Sequence, residues 1–106
     1  MKTRIGLLAA LWSIGLMTAV PARADINIGI ILGTTGPTAS AGLPYKSVFS
    51  NLPDTVAGQK VHYIMVDDAG DPTTTVKDGR KLIGEDKVDL LIGSTSTPTC
   101  LALVDV

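Results

Sequence analysis

Four apolar blocks punctuate this chain, and the polar residues between them decide what each block becomes. The first, residues 5–20, is broken only by small or neutral side chains and follows the positive charges of Lys2 and Arg4. The other three are shorter. Residues 25–32 are β-branched and nearly continuous in apolar character towards their end, as in a strand covered on both faces. Residues 60–66 and 88–92 are the second and third strand-like runs. Helical spacing fills the intervals. Val48, Phe49 and Leu52 predict a short helix over 43–52, with Pro44 near its start. Asp71 followed by Pro72 reads as an N-cap and a first-position Pro. The helix they open sets Val76, Gly79, Leu82 and Ile83 on one face and Lys77, Asp78, Arg80 and Lys81 mostly on the other. Pro98, behind a run of hydroxyls, starts a third helix. Residues 33–42 and 53–58 carry the Gly, Pro and polar content of loops.

The resulting order is βαβαβα. Strands alternating with helices imply a parallel sheet with helices on both faces, a three-layer α/β fold. Ligands of such sheets bind beyond the carboxyl ends of the strands. Three stretches therefore matter: residues 33–42, 67–71 and 93–97.

Charge and composition alter this picture mainly at the N-terminus. A positive n-region, an apolar stretch and the small-residue pattern Ala22-Arg23-Ala24 form a secretory leader over residues 1–24, with cleavage expected after Ala24. The stretch is short for a spanning helix, which needs about 20 apolar residues, and no Cys stands near the cleavage site for a lipid anchor. Removing Lys2, Arg4 and Arg23 leaves six basic against ten acidic residues in 25–106, a net charge of −4. That balance speaks against nucleic acid or an anionic membrane as partner. Cys100 is the only cysteine, so an internal disulfide is excluded. The last residues, 101–106, run on without cap, Gly or polar tail, and are expected to belong to an unfinished helix of a larger fold.

Candidate chemistry lies in the three loops. Residues 33–42 contain neither the Gly-Lys-Ser/Thr of a phosphate loop nor the dinucleotide fingerprint, and no cofactor is expected. They are either a plain connector or a cleft loop working through Thr35, Ser40 or backbone N–H groups. Asp67, Asp68 and Asp71 lack the alternating spacing of an EF-hand and read as strand end and helix cap rather than metal ligands. His62, mid-strand, is poorly placed to serve as a base beside the strand ends. Cys100, without a His partner, is expected to be buried and structural. The loop of Ser94, Thr95, Ser96 and Thr97 combines four hydroxyls with a helix start. Taken alone, these residues are caps; the same geometry also suits an anion such as a carboxylate.

The order Ile28-Gly29-Ile30-Ile31-Leu32, Thr35-Gly36-Pro37, Gly42, Gly58-Gln59-Lys60-Val61, Val66-Asp67-Asp68-Ala69-Gly70-Asp71-Pro72, Lys81-Leu82-Ile83 and Val88-Asp89-Leu90-Leu91-Ile92-Gly93-Ser94-Thr95 resembles the periplasmic leucine/isoleucine/valine-binding proteins. These are type I substrate-binding proteins of ABC transporters. The resemblance covers nearly all of residues 25–106. It implies a Rossmann-like sheet and places these residues in part of the N-terminal lobe of a two-lobed binding protein. It implies that the hydroxyl loop holds a ligand carboxylate through Ser96 first, then Thr97, Thr95 and Ser94. It also implies a small-molecule ligand, an ABC permease in the inner membrane as partner, a periplasmic location and no enzymatic activity. In the family's branched-chain binders an aromatic residue precedes the glycine matching Gly42; here Ala41 stands there, and one ligand-facing contact is absent. The remaining contacts come from parts of those binders beyond the stretch matched here, so little or no affinity is expected of this piece. Other readings are a ligand-sensing regulatory domain of the same fold and a non-functional truncated product. An exported hydrolase would need a G-x-S-x-G elbow and a partnered His, which Gly93-Ser94-Thr95 does not supply.

Overall fold

The computed structural model describes residues 24–106. The leader expected over residues 1–24 lies, except for Ala24, outside the described residues. Strand β1 (Ile26–Leu32) runs into a 3-10 turn (Gly36–Thr38) and helix α1 (Ala39–Phe49). Strands β2 (Thr55–Val56) and β3 (Gln59–Asp67) follow, then α2 (Pro72–Gly84), β4 (Leu90–Ile92) and α3 (Thr97–Ala102). The sheet order is β2-β3-β1-β4. β1 pairs in parallel with β3 from Ile26↔Val61 to Leu32↔Asp67, and with β4 from Ile28↔Leu90 to Ile30↔Ile92.

Ile30 and Ile31 are both fully buried. Adjacent strand residues point to opposite faces, so both faces of β1 are covered at its C-terminal end. On one face Leu82 of α2 reaches Gly29: a Cβ there would sit 3.1 Å from Leu82 Cδ1 and 3.3 Å from Leu91 Cδ1. α3 continues that layer through Leu103, whose Cδ2 would lie 2.8 Å from a Cβ on Gly79. On the other face α1 presses its Gly42 against the end of β1, where a Cβ would overlap the Gly33 carbonyl oxygen. Only a glycine permits that approach. The three-layer α/β architecture expected from the strand and helix order is therefore present.

Four details differ from the sequence reading. The sheet is mixed, because residues 53–58 contain a short antiparallel strand, β2, paired through Thr55↔Lys60 and Val56↔Gln59. The turn uses positive φ at both Ala57 (50°) and Gly58 (77°), the type I′ geometry. Helix α1 starts at Ala39 and leaves Pro44 in its interior. The start signal is Thr35-Gly36-Pro37, with Pro37 in the opening turn. The covered stripe of α2 is Thr75, Gly79 and Leu82, with Ile83 43% exposed. Small residues there let the helix sit close to Asp68 and Leu103, and this outweighs the apolar size of Ile83. Similarly, Val48 and Leu52 are exposed, while Phe49 is half-buried on α1.

Candidate functional site

The chain leaves β1 through α1 on one face to reach β3. It then leaves β3 through α2 on the other face and crosses β1 to reach β4. The loops after β1 and β4 therefore diverge to opposite faces, and a crevice opens between neighbouring strand ends. The hydroxyl loop stands at that crevice.

Hydrogen bonds hold it there in two places. Thr95 Oγ1 accepts from the Gly33 N–H at 3.3 Å, joining the loop to the end of β1. Ser94 Oγ donates to Asp68 Oδ2 at 2.5 Å, joining it to the end of β3. Cys100 Sγ closes the loop from within by donating to the Ser94 carbonyl at 3.0 Å. Cys100 is exposed, contrary to the buried role expected of it. In α3 the buried position is Thr99, one residue away and so on a different side of the helix.

Ser96 occupies the N-cap of α3, yet its side chain accepts no bond from the helix backbone. Thr99 Oγ1 gives its proton to the Ser96 carbonyl at 2.8 Å, so Ser96 Oγ is the donor in the 2.7 Å Ser96–Thr99 hydroxyl contact. The lone pairs of Ser96 Oγ that a cap would use are left available. Thr97 is exposed at the first helical position. Beside the loop is an open cavity of about 210 Å³. Leu32, Tyr45, Phe49 and Ile92 form its apolar wall; Ser94 and Thr95 border it. Of the four hydroxyl residues, Ser94 and Thr95 thus serve as anchors that also border the cavity, and Ser96 and Thr97 stand at the helix entrance.

The acidic stretch after β3 organises the neighbouring loops. Asp71 caps α2 by accepting from the Thr74 N–H at 2.7 Å. The Thr74 N–H is also the main cause that holds the Asp71 carboxyl below its ordinary range. Asp67 Oδ1 accepts from the N–H groups of Thr34, Thr35 and Ala69 at 2.8, 3.3 and 3.0 Å. Desolvation pushes the Asp67 carboxyl up, but the Ala69 N–H and the donors of Thr35 and Thr34 outweigh it and bring it down to about 2. The first loop therefore spends these two backbone donors on Asp67. Asp68 is fully buried. The sequence signal for both clasps was the Asp-Asp pair at a strand end, which local reading takes as helix-proximal charge only. Among the described residues no cluster of three or more His, Cys, Asp or Glu side chains could hold a metal. His62 is exposed and pairs with Asp25 at 3.0 Å, away from the crevice.

Three parallel strands with helices on both faces, and loops gathered at a switch point, define the class: a Rossmann-like α/β lobe. A periplasmic binding protein model matches residues 25–106, and the chain belongs to that family. It is 32% identical over 91 residues to the Leu/Ile/Val-binding protein BraC3 of Rhizobium johnstonii, covering 80% of this chain and 24% of the relative. Among solved structures, an extracellular ligand-binding receptor of Rhodopseudomonas palustris HaA2 is similar at 45% identity and a TM-score of 0.75, covering 77% of this chain and 23% of that one. A solute-binding protein of an ABC transporter from Rhodopseudomonas palustris BisB5, in complex with 3,4-dihydroxybenzoic acid, is similar at 35% identity and a TM-score of 0.66, covering 76% and 23%. The chain spans about a quarter of the length of the curated relatives it matches.

Proposed function

We propose that this chain carries the carboxylate-binding wall of a periplasmic solute-binding protein. Its ligand is a branched-chain or related amino acid, or another small carboxylate. The protein delivers it to an ABC permease of the inner membrane and performs no catalysis. The leader is removed after Ala24 on export. One observation carries this reading: Ser96 does not cap α3, so the first-turn N–H groups of Thr97 and Thr99 have no side-chain cap, and the Ser96 hydroxyl reaches a carboxylate by turning its proton away from Thr99. Ser96 and Thr97 make the contacts to the carboxylate, and Thr95 and Ser94 hold the loop that presents them. Two relatives lend support: one is named for Leu, Ile and Val, and one holds 3,4-dihydroxybenzoic acid. Both ligand types carry a carboxylate.

The cavity of about 210 Å³ is smaller than the roughly 300–1,000 Å³ of ordinary small-molecule sites. One wall of a cleft provides few contacts, so this chain binds weakly by itself, with dissociation constants of about 1 mM or above. The test is an NMR titration with L-leucine, L-phenylalanine and 3,4-dihydroxybenzoate, with L-leucinamide as the control lacking a carboxylate. Amide signals of residues 94–97 move with the three carboxylates and not with leucinamide, and Ser96→Ala reduces the response. Equal shifts with leucinamide, or shifts confined to other residues, would reject the carboxylate seat.

A further inference from the structure

Asp68 is fully buried just after β3, where it bonds to β1, α2 and the hydroxyl loop. Its N–H donates to the Leu32 carbonyl at 3.1 Å, extending the β1·β3 ladder. Its Oδ1 accepts from the Gly70 N–H at 2.9 Å. Its Oδ2 faces two hydroxyls, Thr75 Oγ1 of α2 at 2.7 Å and Ser94 Oγ of the hydroxyl loop at 2.5 Å. Thr75 Oγ1 also lies 2.8 Å from the Asp71 carbonyl and has one proton to share between the two acceptors. The Ser94 hydroxyl has no such alternative among the described residues.

A carboxyl withdrawn from water is costly unless donors surround it. A helix cap at this place would need only Asp71, which already performs it. The local turn accounts for Oδ1 through Gly70, and leaves Oδ2 to be explained. What it adds is a bond across 26 residues of sequence to the loop that carries Ser96 and Thr97. A distance of 2.5 Å lies in the range of short, charge-assisted O–H···O⁻ bonds.

We propose that Asp68 is a positioning residue for the ligand loop, acting through Ser94. This deepens the function proposed above and rests on it for its meaning in binding. Ser94 donates its hydroxyl hydrogen bond to the carboxyl as the loop's anchor. The carboxyl fixes where the loop departs from β4, and so fixes the direction in which Ser96 and Thr97 are offered.

The test has two arms on the full chain. Amide hydrogen exchange compares the segment 93–100 with the core strand 26–32 in wild type, Asp68→Asn, Ser94→Ala, the double variant and Ser94→Thr. The expected result is about tenfold faster exchange over 93–100 in either single variant, with the core strand little changed. The double variant is no faster than the singles, and Ser94→Thr, which retains the hydroxyl, restores protection. Equal loosening of the core strand, or additive effects of the two changes, overturns the proposal in favour of general packing. The second arm is the titration with L-leucine and 3,4-dihydroxybenzoate. Asp68→Asn is expected to weaken wild-type binding about tenfold, and unchanged affinity overturns the role in binding. If the signals of residues 94–97 do not move at ligand concentrations of about 10 mM and above, the weak binding proposed above fails, while the exchange arm still decides whether Asp68 positions the loop.

Discussion

At the scale of single residues, the acidic triplet at the end of β3 and in the loop beyond divides its labour. Asp71 caps a helix, Asp67 gathers three backbone N–H groups, and Asp68 reaches the hydroxyl loop. Asp67 makes a pH-dependent contribution whose sign is fixed by the direction of its shift. Its carboxyl titrates near 2 in the folded chain against 3.8 for the unperturbed group. The lowered folded value means that its stabilisation is complete above about pH 4 and is lost as pH falls through about 2. Asp67→Asn is therefore expected to lower stability by about 1 kcal/mol at pH 7, a modest figure because the group is exposed and screened by water. The difference from wild type should vanish near pH 2 in urea melts recorded across the range. A constant difference at all pH values would assign the effect to shape rather than charge. The Asp71 cap was legible because cap and Pro are adjacent in sequence. The Asp68–Ser94 contact was not, because its partners meet only once the sheet is assembled.

At the scale of elements, the hairpin before β3 shows why one strand escaped the hydrophobic pattern. Two residues are too few for an alternation, and Thr55 and Val56 are both exposed. The usual turn signal is also missing, since type I′ turns favour Asn-Gly and this one has Ala57-Gly58. An Ala at φ 50° bears a left-handed strain of about 1–2 kcal/mol. Ala57→Asn should relieve part of it and stabilise the chain by about 0.5–1 kcal/mol, visible as a higher melting temperature in circular dichroism. A lower melting temperature would show that the methyl group is needed where it stands. The start of α1 was misplaced for a related reason. Pro44 has the residue type of a helix opener, but Pro37 fills that role and the helix tolerates the missing N–H of Pro44 in its interior. On α2 the pattern of large apolar side chains pointed to Ile83, whereas close approach selected Thr75 and Gly79. Hydrophobic periodicity registers size, and helix packing here depends on smallness.

At the scale of the whole molecule, the parallel order of β1, β3 and β4 followed from the alternation of apolar runs and helices, and it places the hydroxyl loop at the crevice. What could not be read was the surface. In the described sheet β4 is an edge strand, with Leu90 51% exposed. Apolar edges invite pairing with another chain. Pairing at this edge predicts self-association at high concentration, and Leu90→Lys is expected to weaken it by about 1 kcal/mol, measured by light scattering over a concentration series. Unchanged association would shift the adhesive surface to another face, such as that of Val48 on α1, 61% exposed. The sheet order also bears on how the chain is made. β1 lies between β3 and β4, yet it is the first of the described strands to be synthesised. Ile30 is complete about 60 residues before its partner Ile92. At about 5–20 residues per second, that is an interval of roughly 3–12 s. Throughout it, one flank of the central strand lacks its neighbour, so manufacture and burial run in opposite orders. A holding chaperone, or a translation rate near the upper limit, would act on that interval rather than on the assembled sheet.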